Sequence, residues 1–155
     1  HIVGELMKGF LLKRPVAERV FPGGVPDPAL EKLQGALPAL SLNGHPALAA
    51  ALVNDTDASL IYAQQLLGLG RPGDVLLCIS TSGNARNCCL AAQTARALGV
   101  EVIALTGAGG GRLAELSDCL IAVPERETYR VQQLHLPLYH ALCARLEARF
   151  FGGEA

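Results

Sequence analysis

Three short, continuous apolar runs punctuate the chain: DVLLCIS (Asp74–Ser80), VEVIALT (Val100–Thr106) and CLIAVP (Cys119–Pro124). They read as fully buried strands rather than half-wet ones. The turn signal GRPGD precedes the first. Between the first two lies Asn84–Leu98, rich in alanine and leucine, which predicts a helix closed by Gly99. A glycine-rich loop with one short helix, GAGGGRLAELSD, leads to the third run. ETYRVQQLHLPLYHALCARLEARFF then predicts a long final helix, with Pro137 set to kink it. Pro38–Leu42 is a further short, mostly apolar run. Buried strands separated by helices predict the α/β class: a three-layer αβα sandwich around a parallel sheet covered on both faces.

The flanking segments are less regular. HIVGELMKGF reads as the inside of an amphipathic helix with no start signal before His1. The expectation is a chain lacking its N-terminal part. Leu11–Gly35 carries four prolines and two adjacent glycines, and reads as a lid-like insertion (11–35) within one domain spanning 1–155.

Composition narrows the function classes. Half of the 155 residues are hydrophobic, 17% are charged and the formal net charge is −1. A sizeable core is expected, and neither nucleic acid nor a membrane surface is. Cys78, Cys88, Cys89, Cys119 and Cys143 show no C-x-x-C pair and no zinc-finger spacing. They read as small buried residues of a reducing compartment, so a cytoplasmic location is expected.

The first strand ends in an unusual turn, ISTSGN (Ile79–Asn84). Ligands of open α/β sheets bind beyond the carboxyl ends of the strands. Ser80, Thr81 and Ser82 bring hydroxyls there, Gly83 permits a sharp turn, and a helix starting near Asn84 points free N–H groups outward. Such a loop suits an anion, most naturally a phosphate. The same residues also serve as an ordinary helix cap, and the pattern alone leaves both readings open.

From this loop onward, GDVLLCISTSGNARNCCLAAQTARALGVEVIALTGAGGG resembles the sugar isomerase (SIS) domain family, of flavodoxin-like architecture. HIVGEL at the start and RVQQLHLPLYH in the last helix resemble the phosphoheptose isomerases within it. The resemblance implies an intramolecular aldose–ketose isomerase acting on a phosphosugar, most closely on sedoheptulose 7-phosphate. It implies Glu5 and His140 as the acid–base pair, and Ser80, Thr81, Ser82, Gly83, Asn84, Asp55 and Gln132 as binding residues. It also implies a zinc ion on His1, Glu5, Gln132 and His140, and a homotetramer. The proton shift through an enediol needs one group for the carbon-bound proton and another for the oxygen proton. A partly buried carboxylate and an imidazole suit those tasks.

Taken singly, Glu5 and His140 would more often be ordinary surface or packed side chains. His135, five residues before His140, is off its face and is left out. Against the family pattern, Gly9 stands where an arginine is expected, Tyr129 replaces an acidic residue, and Ala85 replaces the last loop serine. Lys13 and Arg14 are the nearby cations that could replace the lost arginine. An alternative from the same family is a non-catalytic sugar-phosphate-binding module, such as one that binds a replication initiator. Retention of Glu5 and His140 argues against it. TGAGGG lacks the G-x-G-x-x-G spacing of a dinucleotide site.

Overall fold

The computed structural model describes residues 1–152. It divides into two compact units, His1–Ser41 with Leu136–Ala155, and Leu42–His135. No described helix is long and apolar enough to cross a membrane.

The second unit holds the sheet. Its strands β1 (Val75–Ser80), β2 (Glu101–Thr106) and β3 (Cys119–Ala122) lie in the order β1-β2-β3. Both pairings are parallel, with Ser80 opposite Thr106 and Thr106 opposite Ala122. Helices α3 (Pro46–Asp55) and α4 (Ile61–Leu69) precede the sheet. Helix α5 (Arg86–Leu98) connects β1 to β2, and α6 (Leu113–Leu116) connects β2 to β3. This is the α/β class with a parallel sheet that the apolar runs predict.

Helix α5 packs so closely because its inner face is small. Cys89, Ala91, Ala92 and Ala95 are buried there, against Leu76, Cys78, Val102 and Ala104 of the sheet. Gly99 ends the helix at φ 72°, and its N–H reaches back to the Ala95 and Arg96 carbonyls. The helix begins at Arg86, two residues later than the sequence reading placed it.

The strands correct one expectation. Val102, Ala104, Leu105 and Thr106 of β2 are all buried, but β1 alternates. Leu76, Cys78 and Ser80 point inward while Val75 and Ile79 are exposed, and Cys119 and Leu120 of β3 are exposed too. Among the described residues, only the central strand has a paired neighbour on each side. The apolar runs of β1 and β3 therefore carry more hydrophobic residues than the described residues cover. Cys119 likewise departs from the expected burial, and Cys88 is half-buried. All five cysteines are free. Residues 38–42 form coil rather than a regular element.

The first unit is built from short pieces: α1 (Ile2–Met7), α2 (Ala17–Val20), a 3-10 turn (Pro28–Lys32) and the later part of α7 (Thr128–Phe151). Helix α7 runs through Pro137 as one element. The prolines and glycines of 11–35 leave that segment mostly irregular and exposed. Its two ends are nonetheless tied together, by an isolated bridge between Pro15 and Gln34 and by the Gly35 N–H on the Arg14 carbonyl at 2.6 Å.

Candidate functional site

In the sheet unit, the ISTSGN loop leaves the carboxyl end of β1. Ser80 is buried, Thr81 half-buried, and Ser82 and Asn84 exposed. The loop is an ordered turn: Gly83 N–H donates to the Ser80 carbonyl at 3.0 Å, and Asn84 N–H donates to the Ser82 hydroxyl at 3.1 Å. Gly83 sits at φ 66°, and a Cβ there would run into the Gly110 carbonyl. Only glycine satisfies both demands.

That close approach explains the glycine-rich TGAGGG. The two loops are laced together by Gly107 N–H to the Thr81 carbonyl, Leu113 N–H to the Gly83 carbonyl, and Arg112 N–H to Asn84 Oδ1. The distances are 3.0, 3.0 and 2.9 Å. The glycines of the second loop thus buttress the serine loop. Asn84 spends its carboxamide on this lacing, since its Nδ2 also donates to the Ser82 carbonyl. Sequence reading overlooked Arg86, at the first position of α5. Its Nε donates to the Ser59 hydroxyl at 3.1 Å, and Ser59 in turn donates to Asp57 through its hydroxyl and its N–H. The Ser59 hydroxyl and N–H, and more weakly Arg86, hold the Asp57 carboxyl below its usual range. Asp55 is exposed at the end of α3. Gln132 is exposed on α7. His135 is buried, and its Nε2 contacts the Thr106 carbonyl at 3.1 Å.

In the other unit, His1, Glu5 and His140 gather. Glu5 Oε1 lies 3.3 Å from His1 Nε2, and Oε2 lies 3.4 Å from Lys8 Nζ. This follows from helix geometry, because positions three and four apart share a face. The His1 and His140 rings meet edge to face at a centroid distance of 5.0 Å. Two aromatic residues that sequence reading did not select complete the group. Tyr139 Oη is 3.0 Å from His1 Nδ1. The Phe10 ring stacks on His140 at 5.6 Å and an interplanar angle of 23°. A carboxylate only accepts, so His1 Nε2 carries a proton; a neutral ring then accepts the Tyr139 hydroxyl at Nδ1, whereas a protonated ring donates to it.

These partners bear on the expected zinc set. Both nitrogens of His1 and both oxygens of Glu5 are already engaged. Among the described residues, no group of three or more His, Cys, Asp or Glu side chains is arranged to hold a metal ion. The arrangement does not fit the expected zinc site.

Arg14 does not stand in for the missing arginine. Its guanidinium is fully buried, with Nε on Glu147 Oε1 at 2.8 Å. Its remaining nitrogens donate to the carbonyls of Glu5, Leu6 and Gly35. Lys13 remains exposed.

Residues 30–107 match the SIS domain family. The phosphoheptose isomerase of Akkermansia muciniphila is 36% identical over 153 residues, covering 99% of this chain and 70% of that protein. That of Mycobacterium tuberculosis is 45% identical over 115 residues, covering 74% and 59% respectively. Among solved structures, a phosphoheptose isomerase from Francisella tularensis aligns at a TM-score of 0.69 and 37% identity, over 72% of this chain and 60% of that one. One from Neisseria gonorrhoeae aligns at 0.67 and 39%, over 68% and 60%. The chain therefore spans between 59% and 70% of the length of these relatives. Matched along nearly all of its length to one phosphoheptose isomerase and through its serine loop to the family pattern, the chain belongs to the SIS domain family.

Proposed function

We propose that this chain carries the chemistry of a phosphosugar isomerase, interconverting a ketose phosphate and an aldose phosphate through an enediol, with sedoheptulose 7-phosphate as the substrate. The observation that carries the reading is the chain of contacts through His1, whose Nε2 lies 3.3 Å from the Glu5 carboxylate and whose ring meets that of His140 edge to face. Glu5 is the base: one carboxylate oxygen takes the carbon-bound proton and returns it to the adjacent carbon. His140 carries the proton between the two substrate oxygens. No electron leaves the sugar, so the step balances without a redox partner. The loop 80–84, with Asp55 and Gln132, is assigned to the phosphate and the sugar. Thr81 and Ser82 are its accessible hydroxyls, so Ser80 acts as support beneath them. No step is routed through a metal, because zinc on this set would first have to displace the His1–Glu5 and His1–Tyr139 contacts. The reading carries with it a cytoplasmic homo-oligomer, a tetramer by family resemblance.

The test is isotopic. Glu5→Gln in the intact protein should still bind the ketose phosphate but stop solvent deuterium from entering the sugar at the reacting carbon. Wild-type exchange in that variant would remove Glu5 as the base.

A further inference from the structure

Three charged or aromatic residues that the proposed reaction does not use converge on the residues that it does. Glu147 is almost fully buried on α7 and accepts four hydrogen bonds. Oε1 receives the Phe10 N–H and Arg14 Nε, both at 2.8 Å. Oε2 receives the N–H groups of Leu11 and Leu12 at 2.6 and 2.9 Å. Three successive backbone amides thus wrap one carboxylate. Phe10, the first of them, carries the ring that stacks on His140.

Arg14 acts from the other end of the same ion pair. Its Nη1 donates to the Leu6 carbonyl at 2.8 Å and its Nη2 to the Glu5 carbonyl at 3.2 Å. Helix α1 has only six residues and no side-chain cap at its start. So short a helix cannot hold itself, and its last carbonyls have no partners within it. Arg14 supplies two of those partners, one of them on Glu5 itself.

We propose that Arg14 and Glu147 are positioning residues of the acid–base pair: through one buried ion pair they fix the backbone of Glu5 and hold the Phe10 ring against His140. The inference rests on the reading of Glu5 and His140 given above. A buried ion pair is a poor device for stability alone, since apolar residues of similar volume do as well. It is a good device for fixing geometry, because a guanidinium fork and a carboxylate satisfy several backbone groups at set angles.

Arg14→Lys is the discriminating variant. Lysine keeps the charge opposite Glu147 but cannot reach Glu147, Glu5 and Leu6 together. In the intact protein, kcat for the ketose phosphate should fall on the order of 10²-fold with KM little changed, the cost of a displacement of about 1 Å in a catalytic group. The NMR signals of the labelled His140 ring should move, because the ring current of Phe10 is lost. Phe10→Leu keeps the amide on Glu147 and removes only the ring. It should move the His140 signals alike and lower kcat, whether or not Arg14→Lys folds. The idea fails if His140 signals stay put in both variants. It also fails if activity declines only in proportion to the unfolded fraction. If the wild-type protein isomerises no ketose phosphate, the functional reading fails instead, and the His140 signals still decide whether Arg14 and Glu147 set the geometry.

Discussion

Acid should unfasten the first unit through Glu147. Burial by itself pushes this carboxyl up. The N–H groups of Phe10, Leu11 and Leu12 and the Arg14 side chain outweigh it and pull the carboxyl down to about 2 from an ordinary 4.5. A carboxyl depressed on folding contributes stability that is complete above its unfolded value and is lost as pH falls towards its folded one. The window here runs from about 5 down to about 2. From 4.5 to about 2, at about 1.36 kcal/mol per pH unit, the contribution is roughly 3 kcal/mol. Urea unfolding between pH 6 and 2.5 would measure it, with Glu147→Gln beside the wild type. The substituted glutamine cannot ionise and turns an N–H toward backbone N–H groups. The variant should therefore lose about 3–5 kcal/mol at pH 6, as loss of one partner from a buried pair does. The two proteins should then converge as the wild-type carboxyl protonates. Other carboxyls titrate alike in both, so the difference isolates Glu147. Parallel stability curves across the window would refute the argument.

Two further outcomes follow from single positions. Gly83→Ala should destabilise the loop by about 1–3 kcal/mol, from the positive φ and the collision with Gly110; unchanged thermal melting and unchanged affinity for inorganic phosphate would show that the loops do not cross as described. With iodoacetamide at pH 8, Cys119 should be alkylated first. Cys78 should resist, because burial, then Cys88 and Cys89, push its thiol up to about 12, and mass spectrometry showing early Cys78 labelling would contradict this.

The sheet unit was largely legible because its signals are local. Buried strands are apolar runs, α5 is an alanine-rich stretch, and Gly99 marks its end, each within a few residues. The serine loop was legible for the same reason. What sequence could not give is how far the apolar runs outnumber the surface available to cover them. Exposed Val75, Ile79 and Leu120 show that a strand's composition does not by itself specify cover on both faces. The first unit was much less legible. Arg14 and Glu147 lie 133 positions apart, and each alone resembles a surface charge. Phe10 lies outside both quoted motifs, and Tyr139 lies within RVQQLHLPLYH with nothing in the pattern to single it out. The only available hint for Glu147 was its spacing from His140, seven residues or about two helical turns along α7. The glycines of TGAGGG lack the spacing of a dinucleotide loop, but their role against Gly83 needed a contact between loops.

Gly9 shows how a departure from the family pattern can be read physically. The family resemblance implies an arginine here, whose charge Lys13 or Arg14 could replace. The structure shows instead that the chain turns there. Gly9 N–H donates to Gln34 Oε1 at 2.8 Å, and the next three residues present their amides to Glu147. A Cβ at position 9 would strike the Gln34 carboxamide and the Leu12 carbonyl. Gln34 is a flexible side chain and can yield, whereas the Leu12 carbonyl belongs to the backbone that Glu147 holds. Gly9→Arg should therefore not add a useful cation. It should push the 10–12 segment off Glu147, costing about 1–3 kcal/mol as overpacking does, and loosen Phe10 from His140. Thermal melting and the kcat of the intact protein would report both effects together. A Gly9→Arg protein with wild-type melting and raised kcat would mean that the position tolerates a side chain and that the missing charge, not the turn, is what matters there.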